Sequence, residues 1–245
     1  MAEVHDSGSV YGVIVGDLQA PLLGGFLVGL GTVAFTALLE SMDVAAVRRV
    51  LAQSGGRALY RTALWMNVCN NLIVGPLTWH IAVTCMCSPL KVPLMCALDV
   101  LGLIVTHAVG FFIAHAAMHR PSLYRFHRLH HRFHTNVTPV AANCVSIVEY
   151  FVAYMLPFVA GIFLLQPDRL ALLVAVSWIS VANLLVHTPG LEALSSRFLP
   201  ALFVGTHDHL EHHKRLTCLY GAPTISVDRI ISASAAALCT KQRGC

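Results

Sequence analysis

Eight histidines fall into three tight groups along the chain. His115 and His119 form H-x-x-x-H. His127, His130 and His131 form H-x-x-H-H, and His209, His212 and His213 repeat that second pattern. His187 stands alone between the last two groups. Neutral imidazole is the commonest side-chain ligand for zinc, copper, iron and nickel. On an α-helix each residue advances about 100°, so positions i, i+3 and i+4 share one stripe. Each box therefore offers two or three ring nitrogens on one helix face. Eight nitrogens, or nine with His187, exceed the four ligands of a closed zinc site and suit two metal ions better.

The elements that must position these boxes are membrane helices. The chain is 56% hydrophobic and only 11% charged, with a mean hydropathy of +0.69, whereas soluble domains carry roughly 25% charged residues. Apolar runs of this length mark transmembrane helices. Leu18–Leu39, Thr62–Met86 and Leu170–His187 are uncharged; Ile147–Leu165 carries Glu149 at its edge, and Val92–Ala114 carries Asp99 near its start. The expectation is an all-α integral membrane protein: a bundle of about four to five transmembrane helices with a cytosolic helical cap that holds a histidine-rich dimetal site. A transmembrane region at 1–102, a catalytic domain at 103–235 and a tail at 236–245 divide the chain. The N-terminus lacks a basic n-region, so the first span reads as a retained anchor. The eight cysteines show no C-x-x-C pair and no disulfide-framework spacing.

Charge sets the orientation. With five alternating spans, residues 115–146 and 187–245 fall on one side together with loop 40–61. That side holds fourteen of the sixteen lysines and arginines, leaving only Lys91 and Arg169 opposite. Positive residues stay cytoplasmic, so the boxes should face the cytosol. Most of these arginines are expected to contact lipid headgroups, and the net charge of +4 calls for no nucleic acid.

The boxes also fit together. Span 92–114 leads into His115, Arg120–Pro121 should end that helix, and a second helix should carry Tyr124 to His134. The hairpin 147–187 returns His187 to the same surface, and His209–His213 follow shortly after. His134 and His207 lie near the boxes but off register. His107, inside a span, reads as a core or channel residue. His80, Asn67, Asn70 and Asn71 read as packing groups facing the bundle interior.

At "HAAMHRPSLYRFHRLHH" (115–131) and "HDHLEHHKRLTCLYGAPTISVDRI" (207–230) the chain resembles the fatty acid hydroxylase/sterol desaturase superfamily. The likeness covers roughly 103–235 and is closest to the sterol 4-methyl oxidase and 5-desaturase branch. Tyr220, Gly221, Asp228 and Arg229 match its later motif. The sequence departs from the pattern at four places. Ser146-Ile147-Val148-Glu149 replaces His-Pro-x-Glu. Ala116 stands for an arginine, Asp208 for a histidine, and Leu219 for an asparagine.

The resemblance implies two non-haem iron ions held by His115, His119, His127, His130, His131, His187, His209, His212 and His213. It implies O2-dependent hydroxylation or desaturation of a sterol-like or acyl lipid in the endoplasmic reticulum membrane. Electrons would come from NAD(P)H through a cytochrome b5-type donor and its reductase. Glu149, Asp208 and Asp228 are the candidate catalytic-site acids, expected to orient imidazoles through their outer N–H groups, with Glu211 a weaker fourth. Two other readings remain: a catalytically degenerate paralogue with a structural role, and a membrane metal- or haem-binding protein.

Overall fold

The computed structural model describes residues 21–234, so His5, the acidic N-terminal segment and the 236–245 tail lie outside the described residues. Among the described residues the chain is helical, with two isolated β-bridges and no strand. Four helices are long and apolar enough to cross a membrane: α1 (Pro21–Met42), α5 (Pro93–Met118), α7 (Ile147–Leu165) and α8 (Arg169–Val186). The run expected at Thr62–Met86 is also helical. It forms α3 (Gly56–Cys69) and α4 (Gly75–Cys85), joined without a break by a π-helical turn at Asn70–Val74. Asn67, Asn70 and Asn71 lower its hydropathy, and all three are buried. Asn70 Nδ2 donates to the carbonyls of Asn143 and Val145, both at 3.2 Å, so the asparagines bind the bundle from within, as expected of polar groups in a membrane.

Local chemistry fixes the ends. Pro93 opens α5, where its missing N–H is no loss. Asp168 caps α8 by accepting from the Ala171 N–H at 2.8 Å. It also accepts from the Lys91 N–H at 3.0 Å, which draws the two loops at that end together. The histidine-bearing segments all lie at the opposite end. The outward face is apolar, with Phe163 73% exposed, as suits a surface meant for lipid. α1 packs closely on the π-helical turn, where a Cβ on Gly29 would lie 1.9 Å from the Asn71 carbonyl oxygen. Only glycine permits that approach.

The cap differs from expectation at one point. Tyr124 to His134 is not one helix. A single α-turn, α6 (Tyr124–His127), gives way to a 3-10 turn at His130–Phe133, and His134 takes a positive φ of 46°. Neighbouring residues on either kind of helix point about 100–120° apart, so His130 and His131 face different ways. The rest of the cap is α2 (Val44–Ala52), α9 (Glu192–Phe198) and α10 (Thr206–Arg215), with a last helical stretch at 227–234.

One buried acid ties the cap to the bundle. Glu40, at the end of α1, accepts from Thr138 Oγ1 at 2.7 Å, the Val140 N–H at 2.7 Å and the Tyr60 hydroxyl at 2.8 Å. Replacing Glu40 by Ala leaves two buried donors unpaired, so it should cost roughly 3 kcal/mol. A fall of several degrees in the melting temperature of the detergent-solubilised protein would show this; an unchanged melting temperature would refute the clip.

Candidate metal centre

The nine histidines named from the sequence converge into two buried groups. His115, His119, His127, His131 and His212 form the first, and His130, His187, His209 and His213 the second. Within each group the ligand-type nitrogens lie within 4.8 Å of one another. Neighbours in the chain serve different groups: His130 and His131 diverge at the 3-10 turn, as His212 and His213 do on α10. The two groups share a wall, with the His131 and His213 rings 4.8 Å apart.

The outer nitrogens show why the inner ones are bare. His115 Nδ1 donates to the Tyr220 carbonyl at 3.1 Å, His130 Nδ1 to Ala141 at 3.1 Å, His187 Nδ1 to Asn183 at 2.7 Å and His212 Nδ1 to Cys218 at 2.8 Å. A carbonyl only accepts, so each of these rings carries its proton on Nδ1. In the neutral ring Nε2 is then a lone pair. These lone pairs open onto the interiors of the two groups, where ring nitrogens crowd together. Nε2 of His115 and His127 are 3.0 Å apart, of His127 and His131 2.8 Å, of His187 and His209 2.7 Å, and of His209 and His213 3.1 Å. His212 Nε2 is buried with no partner at all.

Where both nitrogens of such a pair are unprotonated they repel, and a cation between them removes the repulsion. Two nitrogens bound side by side to one ion, each at about 2.1 Å, stand roughly 3 Å apart, which is the spacing seen. Protons cannot take the ion's place cheaply. Burial first, then repulsion from neighbouring imidazoles, hold His130, His209 and His213 well below the ordinary imidazole range. Burial pushes His119 and His187 down to about 4. The residues therefore fit a pair of metal ions, and an all-nitrogen donor set suits iron, copper, nickel or zinc.

The acids are placed unequally. Glu149 is buried, with Oε1 2.6 Å from His127 Nδ1 and Oε2 unpaired. Asp228 accepts from the Tyr220 N–H at 3.0 Å and so steadies the residue whose carbonyl holds His115. Asp208 accepts from the Gly205 N–H and pairs with Arg229 at 2.7 Å; among the described residues it bonds to no histidine. Glu211 pairs with Lys214 and Arg215 at the surface. Ser146 caps α7 by accepting from the Glu149 N–H and donates to the Phe126 carbonyl.

The other histidines stay outside both groups. His207 is exposed and pairs with Glu192, His134 is exposed, and His107 is buried between Phe111 and Phe158.

What sequence reasoning missed is the set of carbonyls, at Ala141, Asn183, Cys218 and Tyr220, that aim the rings. The one signal for them is indirect. Leu219 occupies a left-handed conformation at φ 61°, at the position where the resemblance favours asparagine, which tolerates that conformation better.

A family model described as fatty acid hydroxylase matches residues 100–233, more than half of the chain. The chain belongs to the fatty acid hydroxylase family. No solved structure matches it. Membership, the two histidine groups and the four apolar helices together point to a membrane-bound oxidoreductase that binds metal.

Within this family member, Glu149 and Asp208 separate two kinds of acid. Glu149→Gln replaces the carboxyl that meets His127 Nδ1 at 2.6 Å and should weaken metal affinity roughly 10–100-fold. Asp208→Asn breaks only a helix cap and a half-exposed ion pair, and should leave metal content unchanged. Metal titration of the two purified variants checks this; equal losses would mean that Glu149 has no special part.

Proposed function

We propose that this protein is a membrane-bound di-iron hydroxylase or desaturase acting on a sterol or related lipid. The observation that carries the reading is the convergence of bare, buried imidazole nitrogens into two adjoining groups. A pair of iron ions held there would supply O2-dependent oxidation of an unactivated C–H bond. The stoichiometry of hydroxylation is one C–H bond, one O2, two electrons and two protons, giving one alcohol and one water. Desaturation uses the same O2 and electrons to remove two hydrogens.

The chain's own residues hold and shield. Four backbone carbonyls and Glu149 fix the ring orientations before any ion arrives, so little reorganisation accompanies binding. The apolar helices bring the lipid within reach and keep bulk water from the buried groups. Electrons are expected from NAD(P)H through a cytochrome b5-type donor and its reductase, which would dock on the arginine-rich cap. The resemblance to the sterol branch supports the choice of lipid and an endoplasmic reticulum location. The basic residues clustered with the boxes support a cytosolic cap. A haem carrier is disfavoured, because four or five imidazoles crowd into each group with ring centroids such as His187–His209 at 4.1 Å and His119–His131 at 4.8 Å, leaving no open slot for a flat macrocycle.

The split between adjacent residues tests the dimetal reading. His130→Ala and His131→Ala should each lower bound iron from two equivalents to about one, from different groups, and each should abolish turnover. Iron analysis and product formation on the purified variants check this. Two equivalents retained in either variant, or a haem absorption band in the parent protein, would overturn it. For the topology, a tag after residue 245 should be digested by protease added to sealed microsomes. Protection of that tag would reverse the proposed orientation.

A further inference from the structure

The two histidine groups are not equally enclosed. Eight of the nine rings are at most 6% exposed, and all four of the second group are among them. His119, in the first group, is the exception and is half-buried. It is also the C-cap residue of α5, and helix ends fray. The opening at His119 faces water and not lipid. Arg120, Ser122, Lys214, Arg215 and Thr217, which flank it along the chain, are all exposed polar residues.

One short turn covers the opening. Leu216–Tyr220 follows α10 and lies across three rings of the first group. The Tyr220 ring stands 5.0 Å from His119, 5.6 Å from His212 and 5.9 Å from His115. The same turn supplies the carbonyls of Cys218 and Tyr220 that hold His212 and His115. Its hold on itself is weak. The Tyr220 hydroxyl reaches the Leu216 carbonyl only at 3.5 Å. Leu216 and Leu219 take left-handed φ of 62° and 61°, a conformation in which a leucine is strained. Opening the turn therefore relieves strain as well as breaking contacts.

The second group is fastened differently. His130 and His187 are tied to the Ala141 and Asn183 carbonyls, and both of those residues are buried. The histidines that the turn touches, His115, His119 and His212, all belong to the first group. Local opening of a surface turn takes far less free energy than opening a packed core. We propose that Leu216–Tyr220 is a gate for metal. When it lifts, the first group alone exchanges its ion with the surrounding water, and the second group keeps its ion until the bundle unfolds. Lifting uncovers His119 and withdraws the carbonyls behind His115 and His212, so three of the five ligands loosen in one movement. This rests on the dimetal reading and adds that the two sites differ in lability.

Metal release tests the gate. The full-length protein in detergent, saturated with ferrous iron in the absence of oxygen, is mixed with excess EDTA, and the iron left on the protein is measured at intervals. One equivalent should leave at least tenfold faster than the other. His131→Ala should lose the fast phase and His130→Ala the slow one, since each removes a ligand from one group. Tyr220→Ala uncovers His119 but keeps the backbone carbonyl, and should speed the fast phase at least fivefold. Leu219→Asn relieves the left-handed strain and so steadies the turn; it should slow the fast phase several-fold. Neither variant should move the slow phase. Two equivalents leaving at one rate, a fast phase that survives in His131→Ala, or a fast phase indifferent to both turn variants would overturn the gate and leave the dimetal reading standing. A parent protein that never holds two equivalents would overturn both.

Discussion

The rest of this structure depends on keeping ring nitrogens crowded against one another. Nine imidazoles gather into two groups within which the ligand-type nitrogens lie within 4.8 Å of one another, a crowding that a cation would favour. Isolated helices could not sustain it. Five of the nine rings are held from behind, where Nδ1–H donates to carbonyls or faces Glu149, and the strain is borne by the backbone that carries those carbonyls. Leu216 and Leu219 both sit at left-handed φ, 62° and 61°, and between them the chain turns so that Cys218 and Tyr220 can reach His212 and His115. Such local cost is tolerated where the surroundings over-determine the conformation.

Those surroundings are anchored in the membrane bundle. Asn70 holds the carbonyls of Asn143 and Val145, on either side of the turn between a second 3-10 segment, Pro139–Asn143, and α7. Glu40 holds Thr138 and Val140, just before the Ala141 carbonyl that aims His130. The polar residues of the spans are therefore the fixings of the cap, and the apolar length around them supplies the depth at which those fixings are strong, because hydrogen bonds gain strength where water is excluded.

Much of this was legible in the residues. Box spacing named eight of the nine histidines that converge, the end of an apolar run named His187, and apolar runs located the helices to within a few residues. The polar asparagines of the second run face inward as polar groups in a membrane must. What could not be read has a physical cause. Every residue has a carbonyl, so Ala141 and Cys218 carry no mark of their role. The turn of about 100° between neighbours on any helix sends His130 and His131 to different groups, and the spacing of box two fits an α-helix and a 3-10 turn alike, so it did not reveal the tighter winding. Asp208, beside a box in sequence, lies off the stripe and serves Arg229 instead, whereas Glu149, twenty-two residues from His127, reaches it through the fold.

The interleaving of the boxes bears on how the protein is made. Four of the five nitrogens of the first group come from residues 115–131, so that group is nearly whole once α5 and α6 have left the ribosome. The second group then has only His130. It gains His187 after the α7–α8 hairpin has inserted, and His209 and His213 only with α10, close to the end of synthesis. The two groups are therefore completed in order along the chain, and a chain cut short before Thr206 would carry four of the five histidines of the first group but only two of the four of the second.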